Sequence, residues 1–93
     1  MPLKRCTLDG RTLQSLDALY DRLARRLHFP AHFGRSLDAL WDALSADVAG
    51  PFEIVWTSAD ASKKSLGRNY TQIVKLLRKL EKERDDFRLV ILP

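Results

Sequence analysis

The chain has 93 residues, of which 45% are hydrophobic and 30% are charged, and its formal net charge is +4 at pH 7. This length and composition predict one small, soluble globular domain with a single core. No apolar run approaches the roughly 20 residues of a membrane span. No apolar segment of a signal peptide follows the basic start of the chain, so a cytoplasmic location is expected.

The first third of the chain predicts a strand followed by a helix. Residues 3–8 have the pattern of a short strand, which the turn pair Asp9-Gly10 closes. Ser15 can cap a helix whose apolar residues recur at intervals of three and four, and Pro30 stops that helix. These apolar residues are Leu16, Leu19, Tyr20, Leu23 and Leu27.

A second helix is predicted to begin at Ser36, whose side chain can accept a hydrogen bond from an unpaired backbone N–H, and to fade near residues 47–49. Its apolar face consists of Leu37, Leu40, Trp41 and Leu44. Asp38 and Asp42 lie on the opposite side, where two like charges four residues apart cost an isolated helix about 0.2–0.5 kcal/mol. The helix dipole favours acid in the first turn and so accounts for Asp38. It does not account for Asp42, which raises the question of what this acidic pair faces.

The second half of the chain predicts two more strands with a helical connection. The breaker Gly50-Pro51 precedes a strand over residues 52–56. Residues 57–67 are polar, with one helical turn expected near residues 59–64. A long helix over residues 68–84 precedes a third strand over residues 87–92. The apolar face of the long helix consists of Tyr70, Ile73, Leu77 and Leu80.

This order of elements predicts an α/β fold with two layers. Strands that alternate with helices favour a parallel sheet with crossover helices. With the strands in the order 1-2-3, right-handed crossovers place both connections on the same face of the sheet. The second strand agrees, because Glu53 lies on the side opposite to Phe52, Ile54 and Trp56.

Sequence motifs of catalysis and cofactor binding are absent. There is no GxGxxG, GxxxxGK[ST], HExxH, GxSxG or CxxC pattern, so we expect neither an enzyme nor a cofactor. Cys6 is the single cysteine and is more typical of a small buried hydrophobe than of a reactive thiol. His28 and His32 are separated by Pro30 and cannot share a helix face, so no metal site is expected. Asp38 and Asp42 show no sign of a cleft that would shift their pKa values for acid–base chemistry.

Charge is distributed unevenly along the chain. Residues 31–60 carry a net charge of −4, whereas residues 1–30 carry +3 and residues 61–93 carry +5. An acidic segment within a basic chain says more about partners than about fold. The long helix also has a stripe that can follow a phosphate backbone, although it lacks the aromatic platform of single-strand binders. The stripe consists of Lys75, Arg78, Lys79 and Lys82.

The stretch from Phe33 to Leu44 contains Gly34 followed by LDALWD at positions 37–42. This pattern resembles the signature of the barstar family of ribonuclease inhibitors. The resemblance runs from the first strand to the last, and it implies a single barstar-like domain over residues 1–93. It also implies a protein that is monomeric when free and binds a secreted microbial, barnase-like ribonuclease.

In the barstar family, the second helix and the loop before it block the active site of a basic secreted ribonuclease. The helix acids take the place of the substrate phosphate, and the resemblance gives this role to Asp38 and Asp42, with Asp42 as the central one. It assigns contact or supporting positions to further residues, which are His32, Phe33, Gly34, Ser36, Leu37, Trp41, Ser45 and Glu83. From the residues alone, Trp41 has two interpretations, as part of the core or as a binding anchor.

Some residues depart from the family pattern. His32 and Phe33 stand where the family has paired tyrosines, Ser36 replaces an asparagine, and Arg35 and Lys79 replace acids. The reversed charges would weaken steering toward a strongly basic enzyme. The leading hypothesis is an inhibitor of a barnase-type ribonuclease with a different or less basic rim. The alternatives are a barstar-fold interaction module with a non-nuclease partner and an RNA-binding protein that uses the basic long helix.

Overall fold

A computed structural model describes residues 3–93, in which three strands, four α-helices and one π-helical segment follow one another. In chain order these are β1 (Lys4–Asp9), α1 (Leu16–Leu27), α2 (Leu37–Asp42), the π-helical segment (Ala43–Asp47), β2 (Phe52–Thr57), α3 (Ala59–Leu66), α4 (Arg68–Glu83) and β3 (Phe87–Ile91). Among these residues, no helix has both the length and the apolar character that crossing a membrane requires.

The three strands form one parallel sheet in the order β1-β2-β3, which confirms the predicted α/β fold. In the register of the sheet, Cys6 pairs with Ile54, and Ile54 pairs with Leu89. These side chains lie on the covered face and are buried together with the apolar faces of the helices. The helical connections therefore bury one side of the sheet, as right-handed crossovers require.

Helix α1 ends three residues before Pro30, the residue that is predicted to stop it. Its last residue is Leu27, and His28 takes the left-handed conformation (φ 56°) while donating its N–H to the carbonyl of Ala24. Such a left-handed residue is a common helix terminator, and Pro30 follows two residues later. The predicted apolar face is buried at Leu19, Tyr20, Leu23 and Leu27, whereas Leu16 is half-buried.

The helical turn predicted near residues 59–64 is present, but α3 is longer than predicted and extends over two turns to Leu66. Buried contacts explain the longer helix: the indole N–H of Trp56 donates to Ser62 Oγ at 2.9 Å, and Ala59 and Leu66 are buried. The turn after β1 packs closely against the start of the same helix. A Cβ added to Gly10 would overlap the carbonyl oxygen of Ser58, the residue that precedes α3. Tertiary packing thus extends a segment whose sequence is largely polar.

Glu53 lies on the sheet face opposite the core, as predicted, yet its side chain is buried. The guanidinium Nε of Arg5 donates to its carboxylate at 2.8 Å, from the residue paired with it across the sheet. A buried carboxylate requires such a partner. The second face of the sheet therefore carries an ion pair at its centre.

Cys6 is fully buried in β1, which confirms its expected character as a small hydrophobe. Burial raises the pKa of its thiol to about 11, although the positive charges of Arg26 and Arg22 nearby act in the opposite direction. Because the thiolate is the reactive form of cysteine, this thiol is protonated and unreactive at neutral pH.

Candidate functional site

Helix α2 begins where the sequence predicts. Ser36 is extended (φ −139°), and its hydroxyl accepts a hydrogen bond from the N–H of Ala39 at 3.0 Å. Leu40 is buried beneath the helix, while Leu37 and Trp41 are half-buried at its edge. This orientation turns Asp38 and Asp42 outward, and both are exposed.

Replacing Ser36 by alanine is expected to lower the free energy of unfolding by about 1 kcal/mol, because the helix loses the acceptor for one of its unpaired N–H groups. Urea denaturation measures this change. Ser65→Ala is the matched control, since Ser65 is exposed within α3, where alanine is a slightly better helix former. Equal effects of the two substitutions would contradict the capping role of Ser36.

The carboxylates of α2 differ from most others in the described chain because they have no partner there. Within residues 3–93, neither Asp38 nor Asp42 forms a hydrogen bond or an ion pair through its side chain. In the same range, six of the ten other acids are paired with arginine, and Asp47, Asp60, Glu83 and Asp85 are not. The pairs are Asp9 with Arg11, Asp17 and Asp21 with Arg35, Glu53 with Arg5, Glu81 with Arg78, and Asp86 with Arg84. The acidic face of α2 is thus left available for a partner.

The chain continues from α2 as a π-helical turn. The N–H of Val48 donates to the carbonyl of Ala43 at 3.1 Å, a bond that spans five residues. This wider turn brings Asp47 to the same recess as Asp42. The recess encloses about 290 Å³, and its other lining residues are Ala39, Ala43 and residues of the preceding loop, including His32, Phe33 and Gly34.

Asp47 is a candidate site residue that the sequence did not predict. A spacing of five from Asp42 does not match the period of 3.6 that predicts one helix face. π-Turns are rare and are frequent at functional sites, but no local pattern in the sequence marks this one. The one available signal was the acidic balance of residues 31–60.

The loop before α2, residues 28–36, is fixed by aromatic packing. The Phe33 ring meets Phe29 and Tyr20 edge to face, with centroid distances of 4.9 and 5.6 Å. Gly34 lies close to α2, where a Cβ would come within 3.3 Å of the Ala39 methyl. Phe33 therefore supports the loop from its half-buried position, while His32 is exposed at the surface.

Arg35 is neutralised by α1. Its guanidinium donates to Asp21 Oδ1 at 2.7 Å and to Asp17 Oδ1 at 3.1 Å, and its backbone is left-handed with φ 53°. Two carboxylates of α1 thus compensate the charge of Arg35, and weaker steering toward a strongly basic enzyme stays a prediction.

Trp41 packs against the core and leaves part of its ring at the surface. The ammonium of Lys79 lies over this ring, 5.0 Å from its centroid. Together they line an open cleft of about 270 Å³ between α2 and α4, whose other lining residues are Leu37, Asp38, Lys75 and Leu76. Trp41 thus has features of both of its interpretations, as a core residue and as a surface anchor.

The remaining predicted residues lie outside the recess beside Asp42 and the cleft beside Trp41. Ser45 is half-buried in the π-helical segment, and Glu83 is exposed as the last residue of α4. Ser36, Ser45 and Glu83 line neither the recess nor the cleft. The structure therefore groups the loop residues with Asp42, and Leu37 and Trp41 with Asp38.

A larger depression of about 360 Å³ lies at the start of β2 and β3. Three of its four acids are already engaged: Glu53 with Arg5, Asp86 with Arg84, and Glu81 with the N–H of Leu89, whereas Asp85 has no such contact within the described chain. Across residues 3–93, no three side chains of His, Cys, Asp or Glu converge as metal ligands do. The unpaired acids of α2 remain the more distinctive feature.

Comparison with known proteins agrees with this geometry. The family model described as "Barstar (barnase inhibitor)" matches residues 3–92. The chain is also 31% identical over 90 residues to the protein named "Putative ribonuclease inhibitor YrdF" of Bacillus subtilis (strain 168), and the match covers 96% of this chain and 99% of that protein. A match over nearly the whole length, together with the parallel sheet and the LDALWD helix, shows that this chain belongs to the barstar family.

Proposed function

We propose that this protein inhibits a barnase-type ribonuclease by inserting α2 and the 28–36 loop into the active site of the enzyme. The observation that carries the proposal is the outward acidic face of α2, whose carboxylates lack partners within the described chain although most other acids there are ion-paired. The family match and the name of the Bacillus relative support the same conclusion.

The chemistry of the face suits a ribonuclease active site. An enzyme that cleaves RNA must hold a phosphate with cationic groups, and the carboxylates of Asp38, Asp42 and Asp47 offer those groups an anion in its place. Trp41 and the loop beside them supply apolar contact that excludes water, as binding hot spots do. Inhibition is then steric and electrostatic blockade without a reaction, a cofactor or a metal.

The proposal also includes the cellular location and the oligomeric state of the protein. An inhibitor that protects RNA is needed where the RNA is, which favours the cytoplasm. Residues 1–93 would act as one domain, monomeric until the enzyme binds, and with no catalytic activity of its own.

Stoichiometric inhibition tests the proposal. Barnase and a panel of related microbial ribonucleases are titrated with the protein while cleavage of a fluorogenic RNA is followed. We expect the activity of at least one enzyme to fall to zero near one equivalent. Full activity of every enzyme at a large excess of the protein would contradict the proposal.

A parallel RNA-binding measurement separates the RNA-binding alternative. If the basic long helix bound RNA, a labelled oligonucleotide would bind without any enzyme, and its affinity would fall steeply with salt. One contact of the stripe argues against this use, because Arg78 is paired with Glu81. We therefore expect no enzyme-independent binding of the oligonucleotide at 150 mM salt.

A further inference from the structure

The cleft between α2 and α4 is divided by charge. Its floor is apolar and half-buried, formed by Leu37, Trp41 and Leu76. One wall carries the carboxylate of Asp38, and the other carries the ammonium groups of Lys75 and Lys79. The acidic face of α2 therefore does not extend across to α4, where the sign of the charge reverses.

The two lysines of this wall have no acidic partner among the described residues. Lys79 is placed by its contact with the Trp41 ring, and a cation at 5.0 Å from the centroid of an indole is attracted to its face. Lys75 is exposed one turn earlier on the same side of α4. Within residues 3–93, neither ammonium group lies within ion-pair distance of a carboxylate. Arg35, in contrast, has its charge compensated by α1.

A partner must therefore complement a negative charge on α2 and positive charges on α4 at the same time. A ribonuclease that is basic throughout would satisfy Asp38 and Asp42 but would bring like charges against α4, and such juxtaposition is a known means of rejecting wrong partners. A partner that is acidic throughout would fail at α2. The complementary surface has cationic groups at its centre and carboxylates at the rim that meets α4.

From this pattern, and building on the proposed function, we infer that Lys75, Lys79 and Trp41 form a selectivity element. The element directs this inhibitor to ribonucleases whose rim opposite α4 is acidic, with the rim carboxylates bound by the two lysines and an apolar rim side chain lying on the exposed part of Trp41. The target is thus a barnase-type enzyme with a cationic active site and an acidic rim opposite α4.

Charge reversal at Lys79 tests this inference. Two probes are used: barnase, and a barnase-type ribonuclease with an acidic rim around its active site, called the acidic enzyme. Association and dissociation rates are measured by biolayer interferometry at 20 and 150 mM salt. For Lys79→Glu, we expect association with the acidic enzyme to slow about tenfold and association with barnase to accelerate, since rim charges act mainly on the association rate. For Lys79→Met, which keeps an apolar stem over Trp41, we expect association rates between those of the wild type and those of Lys79→Glu.

Lys64→Glu is the matched control, because Lys64 is exposed on α3 outside the cleft and undergoes the same change of charge. Opposite shifts for the two enzymes with Lys79→Glu, and small equal shifts with Lys64→Glu, support the selectivity element. Identical behaviour of the two variants would overturn it while leaving the proposed function intact. Failure of the proposed function has another signature: neither enzyme binds, or Asp42→Ala leaves the binding of both unchanged.

Discussion

Replacing Asp42 by alanine is expected to weaken binding of the target ribonuclease by about 2–5 kcal/mol, the usual loss when one partner of a buried, hydrogen-bonded charge pair is removed. The carboxylate is exposed in the protein alone and would become enclosed in the complex, against cationic groups of the enzyme. Removing it leaves those groups desolvated and unpaired. Isothermal titration calorimetry, or inhibition titrations for tight complexes, measures the change in dissociation constant.

The same substitution should leave the fold intact. Asp42 has no side-chain partner within the described chain, and its removal relieves a like-charge neighbour in Asp38 that costs about 0.2–0.5 kcal/mol. We therefore expect the urea midpoint to stay constant or to rise slightly. Asp60→Ala is the matched binding control, since it removes an exposed acid from the first turn of α3 and should change affinity little. A large loss of stability with Asp42→Ala would show that the residue is structural and would contradict the site assignment.

Replacing Arg84 by methionine is expected to lower the free energy of unfolding by about 2–4 kcal/mol, because backbone acceptors lose a charged donor. Its Nη1 donates to the carbonyls of Leu44 and Val48, each at 2.8 Å, and its guanidinium lies over the ring of Phe52. Methionine keeps the apolar stem but leaves the end of the π-helical segment without these bonds. Urea denaturation measures the change.

Arg78→Met is the matched control for Arg84→Met. Arg78 makes a surface ion pair with Glu81, three residues on, and such pairs contribute about 0–1 kcal/mol. Similar losses from both substitutions would contradict the anchoring role of Arg84.

A second readout of the Arg84→Met variant is the titration of Asp86. Hydrogen bonds from Arg84 hold the pKa of Asp86 below its usual value. A depressed carboxyl pKa stabilises the fold at neutral pH, and this contribution disappears as the pH falls through the folded-state pKa. In Arg84→Met, we expect NMR titration to show the Asp86 pKa returning toward that of an ordinary aspartate. The stability difference between the variant and the wild type should also narrow in acid.

The framework of the site was predictable because its signals are local. Ser36 as a cap, followed by apolar residues at intervals of three and four, is sufficient to predict where α2 begins and which side faces outward. Alternation in β2 likewise predicts the side on which Glu53 lies. These patterns repeat within a few residues, which is the range over which a sequence can be interpreted directly.

Features that depend on distant residues were not predictable in this way. The π-helical segment that presents Asp47 is bound at Leu44 and Val48 by Arg84, which is 40 and 36 positions away. The neutralisation of Arg35 depends on carboxylates that are 14 and 18 positions away. The burial of Glu53 requires Arg5 from a neighbouring strand, 48 positions earlier. In each case the decisive contact forms only when the fold brings distant segments together.

The anchoring of the 28–36 loop has a consequence for the energetics of association. Edge-to-face ring contacts among Tyr20, Phe29 and Phe33, together with the ion pairs of Arg35, already confine the loop in the isolated protein. Ordering a mobile side chain during association costs about 0.5–1.5 kcal/mol. Here the loss of conformational entropy takes place when the chain folds, so the loop would present a preorganised surface to the proposed partner.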